Sequence, residues 1–174
     1  MRNEDSDGTG VRSRLAFVRD VGRSRGFGGW ENADANDRCL EGISVVVVDD
    51  APDELEMMRY VFELYGASVK TAESADEALH AICEEEPDVL VSDVSLADRD
   101  GYSLVRELRR SASHDIPAVA VTGWDGERER AASIAAGFQV HLTKPVAVST
   151  LVGVVASLAR AYRARSFIPT RSRR

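Results

Sequence analysis

Ile43-Ser-Val-Val-Val-Val-Asp-Asp50 is a short, β-branched run that ends in two acids. An apolar run of this length without polar alternation suits a strand buried on both faces. A helix comes next: Pro52 sits where one can begin, and Leu55, Met58, Phe62 and Tyr65 recur at helical spacing until Gly66 stops them.

The same alternation continues along the chain. Ser68-Val-Lys-Thr71 reads as a second strand. Ser74 with Glu77 three residues on forms a capping-box pattern ahead of a stripe of Ala75, Ala78, Leu79 and Ile82, which Pro87 ends. Asp88-Val-Leu-Val-Ser92 is a third strand, terminated by Asp93. A polar loop, Ala97-Asp-Arg-Asp-Gly101, leads to a helix with Leu104, Val105 and Leu108 inward. Ile116-Pro-Ala-Val-Ala-Val121 is a fourth strand running into Thr122 and Gly123, and residues 126–136 form a helix capped by Gly137. Gln139-Val-His-Leu142 is a fifth strand, followed by Thr143, Lys144 and Pro145, and an apolar helix spans about 147–163. Five strand-then-helix units predict an α/β fold, a doubly wound five-stranded parallel sheet with helices on both faces. Ligands of such sheets bind beyond the carboxyl ends of the strands.

Those ends carry Asp49 and Asp50, Asp93, Thr122 and Lys144. Solvated loops explain one or two acids at strand ends, but less easily three acids, a hydroxyl and an amine on four strands. Two carboxylates about 4 Å apart repel by roughly 4 kcal/mol at an effective dielectric near 20. Three of them raise one another's pKa unless a cation neutralises them. A hard divalent ion with oxygen ligands answers that need, and Mg²⁺ fits because it also binds phosphate oxygens. An ionised Asp beside such an ion can attack a phosphoryl group and form an aspartyl-phosphate, with an ammonium and a hydroxyl on the remaining oxygens.

Five segments together resemble the signature of response-regulator receiver domains: Val45-Val-Val-Val-Asp-Asp50, Asp88-Val-Leu-Val-Ser-Asp93, Asp100-Gly101, Ala120-Val-Thr122 and Leu142-Thr-Lys-Pro145. The resemblance covers about residues 42–162. It implies a flavodoxin-like sheet with strand order 2-1-3-4-5 and Asp93 as phosphoacceptor. It also implies Mg²⁺ held by Asp50 directly, by Asp49 through water, by Asp93 and by the backbone carbonyl of Ser95. Lys144 would pair with the phosphoryl group, and Thr122 would hydrogen-bond it and move inward on activation. The implied partners are a histidine kinase or histidine phosphotransfer protein.

Three positions depart from the family pattern. Leu96-Ala97 replace the usual Met-Pro after the phosphoacceptor, which loses some loop rigidity. His141 stands where the family carries a Tyr or Phe switch ring, either filling the same space or tuning the switch by protonation. Trp124 lies beside the expected phosphoryl site, packing the loop or hindering the water that hydrolyses an acyl phosphate.

Charge and composition bound the rest. Residues 41–159 carry 22 acids and nine bases, an acidic balance that argues against nucleic-acid binding by the folded domain. No run of apolar residues approaches the roughly 18 a membrane-spanning helix needs. Only Cys39 and Cys83 are present, so no disulfide framework is expected and the cytoplasm is the default compartment. The expected organisation is a disordered extension over 1–40, a receiver domain over 41–163 and a basic, disordered tail over 164–174, with no output domain. Output is then a change of surface, read by a partner or dimer through the fourth helix, fifth strand and fifth helix. Val148, Leu151, Val152, Val154, Val155 and Leu158 on the last helix are either all buried against the sheet or partly turned outward to serve it. Leu40-Glu-Gly42 resembles linkers that join receivers to kinase cores, which leaves open a receiver portion of a hybrid sensor kinase. A Mg²⁺-dependent aspartyl-phosphate phosphatase is the remaining alternative; it would need an acid/base Asp where Ser95 stands.

Overall fold

In a computed structural model, residues 38–111 and 115–166 are described. Expectations for residues 1–37 and 167–174 lie outside them. The elements alternate as the hydrophobic pattern predicts: β1 (Ser44–Val48), α1 (Pro52–Leu64), β2 (Ser68–Ala72), α2 (Ala75–Glu85), β3 (Val89–Ser92), α3 (Gly101–Arg110), β4 (Ala118–Thr122), α4 (Glu127–Ala136), β5 (Val140–Thr143) and α5 (Val148–Ser166). All five strands are parallel in the order β2-β1-β3-β4-β5. Register pairs Val48 with Ser92 and Thr122 with Thr143, so the residues just beyond β1 and β3 leave the sheet level with each other.

The unbroken valine run of β1 is explained by what covers it. Val45 and Val47 join α1 and α5 in one core through Leu55, Met58, Phe62, Leu151, Val152 and Val155. Val46 and Val48 face the opposite core with Ala78, Ile82, Leu104, Val105 and Leu108 of α2 and α3. Neither face of the central strand meets water, so no polar alternation is needed.

Local chemistry fixes the helix starts. Ser74 Oγ accepts from the Glu77 amide at 3.2 Å, while Glu77 Oε2 accepts from the Glu73 amide. Asp100 caps α3 through the Ser103 amide. β4 begins two residues later than expected, because Pro117 has no amide hydrogen for the ladder.

Two boundaries need correction. Order starts before residue 41: Leu40 is fully buried against α1 and α5, and its amide donates to Tyr65 O at 3.0 Å. The last helix runs past 163 to Ser166. Arginines hold its end, Arg160 on Cys39 O and Arg163 on Gly42 O and both oxygens of Asp88. Of the six α5 residues singled out from the sequence, Val148, Leu151, Val152 and Val155 are buried, and Val154 and Leu158 pack half-buried on the same core. Core packing therefore takes up four of the six fully and Val154 and Leu158 in part.

Leu40→Ala should lower the unfolding free energy by about 2–4 kcal/mol, since it leaves a cavity between α1 and α5. Urea unfolding with an unchanged m-value checks this; a shift below about 0.5 kcal/mol would make residues 38–42 an appendage after all.

Candidate functional site

The parallel ladder carries the chemistry to one edge. Asp49 follows β1 and is almost wholly buried; its Oδ1 accepts from the Ala51 amide at 2.9 Å. Asp93 follows β3, its amide donating to Val48 O at 2.8 Å and its Oδ1 accepting from the Ser95 amide at 2.8 Å. Lys144 follows β5, its amide donating to Thr122 O at 2.8 Å. Its Nζ reaches across the sheet to Asp49 Oδ2 at 3.0 Å and Asp93 Oδ2 at 2.7 Å.

A third carboxylate joins them. Glu54, in the first turn of α1, also accepts from Lys144 Nζ. Oxygens of Asp49, Glu54 and Asp93 lie within 4.8 Å of one another, a donor set suited to a hard divalent cation. Asp50, the expected direct ligand, is exposed and stands outside this group of three. Glu54 is not at a strand end, so the pattern that picks out the other site residues passes over it. The signal that could have found it is its place one helical turn beyond Asp50, on the helix that opens at the same edge.

Thr122 ends β4 fully buried, with Oγ1 accepting from the Trp124 amide at 3.2 Å. Trp124 is 63% exposed, and its indole Nε1 donates to Ser95 Oγ at 3.0 Å. The loops after β3 and β4, on either side of Asp93, are thereby joined. His141 lies on β5 and its Nδ1 is 2.7 Å from Ser133 Oγ on α4. Ser133 Oγ also bonds Glu129 O at 3.0 Å, which uses its single proton, so His141 Nδ1 is the donor of the pair.

The loop that lacks Met-Pro is held by other means. Leu96 is buried in the α2/α3 core, and Asp98 Oδ2 accepts from the Ala75 amide at the start of α2. Arg99 bridges Asp76 at 2.7 Å and Glu107 at 2.8 Å. Gly101 closes the loop against the end of β3. A Cβ there would stand 2.5 Å from Asp93 O and 3.0 Å from Val94 Cα. Only glycine lets α3 start that close.

Three carboxylates around one ammonium leave an excess of negative charge, and both partners register it. Burial pushes the Asp49 carboxyl up to about 6, against the opposing pull of Lys144 and the Ala51 amide. Burial disfavours the Lys144 charge as well, but Asp49, Asp93 and Glu54 outweigh it and hold its pKa above the ordinary lysine range.

One edge of the α/β sheet thus gathers opposed carboxylates, a lysine ammonium and a buried threonine hydroxyl. The comparisons with known proteins give it a family. The response regulator receiver domain pattern matches residues 45–156. An uncharacterised 14.6 kDa protein of Leptolyngbya boryana is 37% identical over 119 residues, 68% of this chain and 91% of that one. Response regulator MprA of Mycobacterium bovis is 36% identical over 118 residues, covering 68% of this chain and 51% of that protein, so the chain spans about half of that regulator's length. Among solved structures, the receiver domain of Francisella response regulator 1452 aligns with TM-score 0.66 and 27% identity, over 69% of this chain and 98% of that one. The chemotaxis response regulator CheY4 of Vibrio cholerae aligns with TM-score 0.63 and 25% identity, over 67% and 98%. The chain belongs to the response regulator receiver domain family of two-component signalling.

A raised carboxyl pKa has a stability consequence. The folded protein binds Asp49's proton more tightly than the unfolded chain, so stability falls as pH rises from about 4 to about 6. Without divalent cations, urea unfolding across that window should reveal a loss of about 2 to 3 kcal/mol that Asp49→Asn lacks. Equal slopes in the two proteins would refute the assignment.

Proposed function

We propose that Asp93 accepts a phosphoryl group from a histidine kinase or histidine phosphotransfer protein and that the protein signals through the resulting change of surface. The observation that carries this reading is the Lys144 ammonium held against Asp93 Oδ2 while the Ser95 amide holds Oδ1. The carboxylate is thereby fixed in orientation at a sheet edge where an incoming phosphoryl group meets a cation.

Each residue has a separable role. One oxygen of Asp93 attacks phosphorus, and the bond to the donor's nitrogen breaks with its electron pair leaving on the imidazole. Lys144 pairs with a phosphoryl oxygen, and the Thr122 hydroxyl, whose oxygen accepts from the Trp124 amide, donates its proton to another. The convergent carboxylates fit a divalent ion; by the family resemblance Mg²⁺ would be held directly by Asp50, Asp93 and the Ser95 carbonyl and through water by Asp49, and would supply positive charge against the phosphoryl group. Turnover is limited to self-catalysed phosphorylation and dephosphorylation, so the protein acts as a signalling domain and not as an enzyme.

The partner-facing surface in this reading is the α4, β5 and α5 face, coupled to Asp93 through Thr122 and His141. Residues 38–166 would be the receiver unit, set in the cytoplasm, where phosphorylated histidines are supplied from ATP. No helix among the described residues is long and apolar enough to cross a membrane.

The direct test is incubation with acetyl phosphate and Mg²⁺, followed by mass spectrometry for an acid-stable, base-labile phosphoryl adduct. Wild type should form it and Asp93→Asn should not; an adduct persisting in the variant would overturn the site. The lifetime of that adduct tests the indole that spans the neighbouring loops. If Trp124 restricts the hydrolytic water, Trp124→Ala removes about 1 kcal/mol of barrier and shortens the half-life about fivefold. An unchanged half-life would leave Trp124 with loop packing alone.

A further inference from the structure

The Lys144 ammonium has three hydrogens, and three carboxylates stand against it: Asp49, Asp93 and Glu54. Its donor capacity is therefore filled before any phosphoryl group arrives. Before the bond to phosphorus forms and consumes the Asp93 carboxylate, a phosphoryl oxygen can gain Lys144 only if one carboxylate gives way.

The three are not equally free to leave. Asp49's side chain is 2% exposed and also engaged by the Ala51 amide, so releasing it strands a buried carboxylate. Asp93 is the reacting group, held by Ser95, with a side chain 12% exposed. Glu54 is 34% exposed, on a longer arm, in the first turn of a helix whose amino-terminal end favours its charge away from the lysine as well. It can swing into water at little cost, and the other two cannot.

Resting on the phosphoacceptor reading above, we propose that Glu54 is an internal competitor of the phosphoryl group for Lys144. In the unphosphorylated protein it occupies the place on the ammonium that a phosphoryl oxygen later takes, and its release gates phosphorylation of Asp93. Glu54 is then a positioning residue that sets the rate at which a donor can react. It also sets how firmly the product is held, since it can return and displace the phosphoryl oxygen from Lys144.

The test uses the full chain, acetyl phosphate and a range of Mg²⁺ concentrations. In the reaction, a new bond joins an Asp93 oxygen to phosphorus while the phosphorus–oxygen bond of acetyl phosphate breaks and acetate departs with the electron pair. Glu54→Gln keeps the shape and removes the charge, and should speed adduct formation roughly three- to tenfold, the range of one partly screened charged hydrogen bond. Glu54→Ala should do the same, with circular dichroism confirming that both variants are folded. The acceleration should vanish when either change is made on Lys144→Ala, because no ammonium is then left to compete for. An equal rate in wild type and Glu54→Gln overturns the inference, and so does an acceleration that survives intact in Lys144→Ala, which would reduce Glu54 to general charge repulsion. A slower rate with a higher Mg²⁺ requirement also overturns it, by making Glu54 a ligand of the ion. Absence of any adduct in wild type would instead bring down the phosphoacceptor reading itself.

Discussion

The Lys144 ammonium meets Asp49, Glu54 and Asp93 at the one edge to which a parallel sheet sends the carboxyl end of every strand. Charges this deeply placed persist only when paired, since the penalty for taking them out of water exceeds what any single partner returns. With one cation for three anions, the pairing is incomplete. Asp49 is pushed toward its protonated form and Lys144 away from losing its proton. Burial is the larger cause of the Asp49 shift, and the unbalanced negative charge makes the three carboxylates a donor set suited to a further cation.

Holding such groups close demands a rigid setting. The sheet supplies most of it, through the Asp93 amide on Val48 O and the Lys144 amide on Thr122 O. The loop after Asp93 needs its own restraint, and here the means are polar. Asp98 caps α2, Arg99 spans α2 and α3, Asp100 caps α3, and Gly101 admits the helix against the strand. Loss of the usual Met-Pro is thus offset by ties between side chains and helix termini, and a looser loop cannot be inferred from those two residues alone.

Legibility in the sequence depends on which forces are local. Strand and helix identities, sheet type and the carboxyl-edge residues Asp49, Asp93, Thr122 and Lys144 all come from hydrophobic period and from what ends each run. The boundaries at Leu40 and Ser166 did not, because both depend on contacts between distant segments: Leu40 on α1 and α5, and the end of α5 on Asp88 and Gly42. The basic composition at the chain's end likewise hides that Arg160 and Arg163, just before the expected tail, anchor the end of α5. Glu54 and the Trp124–Ser95 bond were hidden for the same reason. Each is a pairing between residues on different elements, and no periodicity in one segment announces it.

Helix α4 carries the consequence furthest from the site. Its buried side chains are Ser133 and Ala136, and Ile134 is half exposed, so little apolar burial fastens it to the sheet. Hydrogen bonds take over: His141 to Ser133, and Arg109 to Gly137 O at its carboxyl end. Hydrogen bonds exchange partners more cheaply than a packed core rearranges, because water or a neighbouring group can replace a lost partner while a cavity cannot be refilled. The loop leading into α4 begins at Thr122, whose hydroxyl is committed to the Trp124 amide, and Trp124 is in turn tied to Ser95 beside Asp93. The loop and α4 are thus fastened by hydrogen bonds at Thr122, Ser133 and Gly137 and by the Tyr102 hydroxyl on Glu129 O. A histidine at position 141 reaches Ser133 on α4 with a ring nitrogen, a contact between sheet and helix that a phenylalanine could not make.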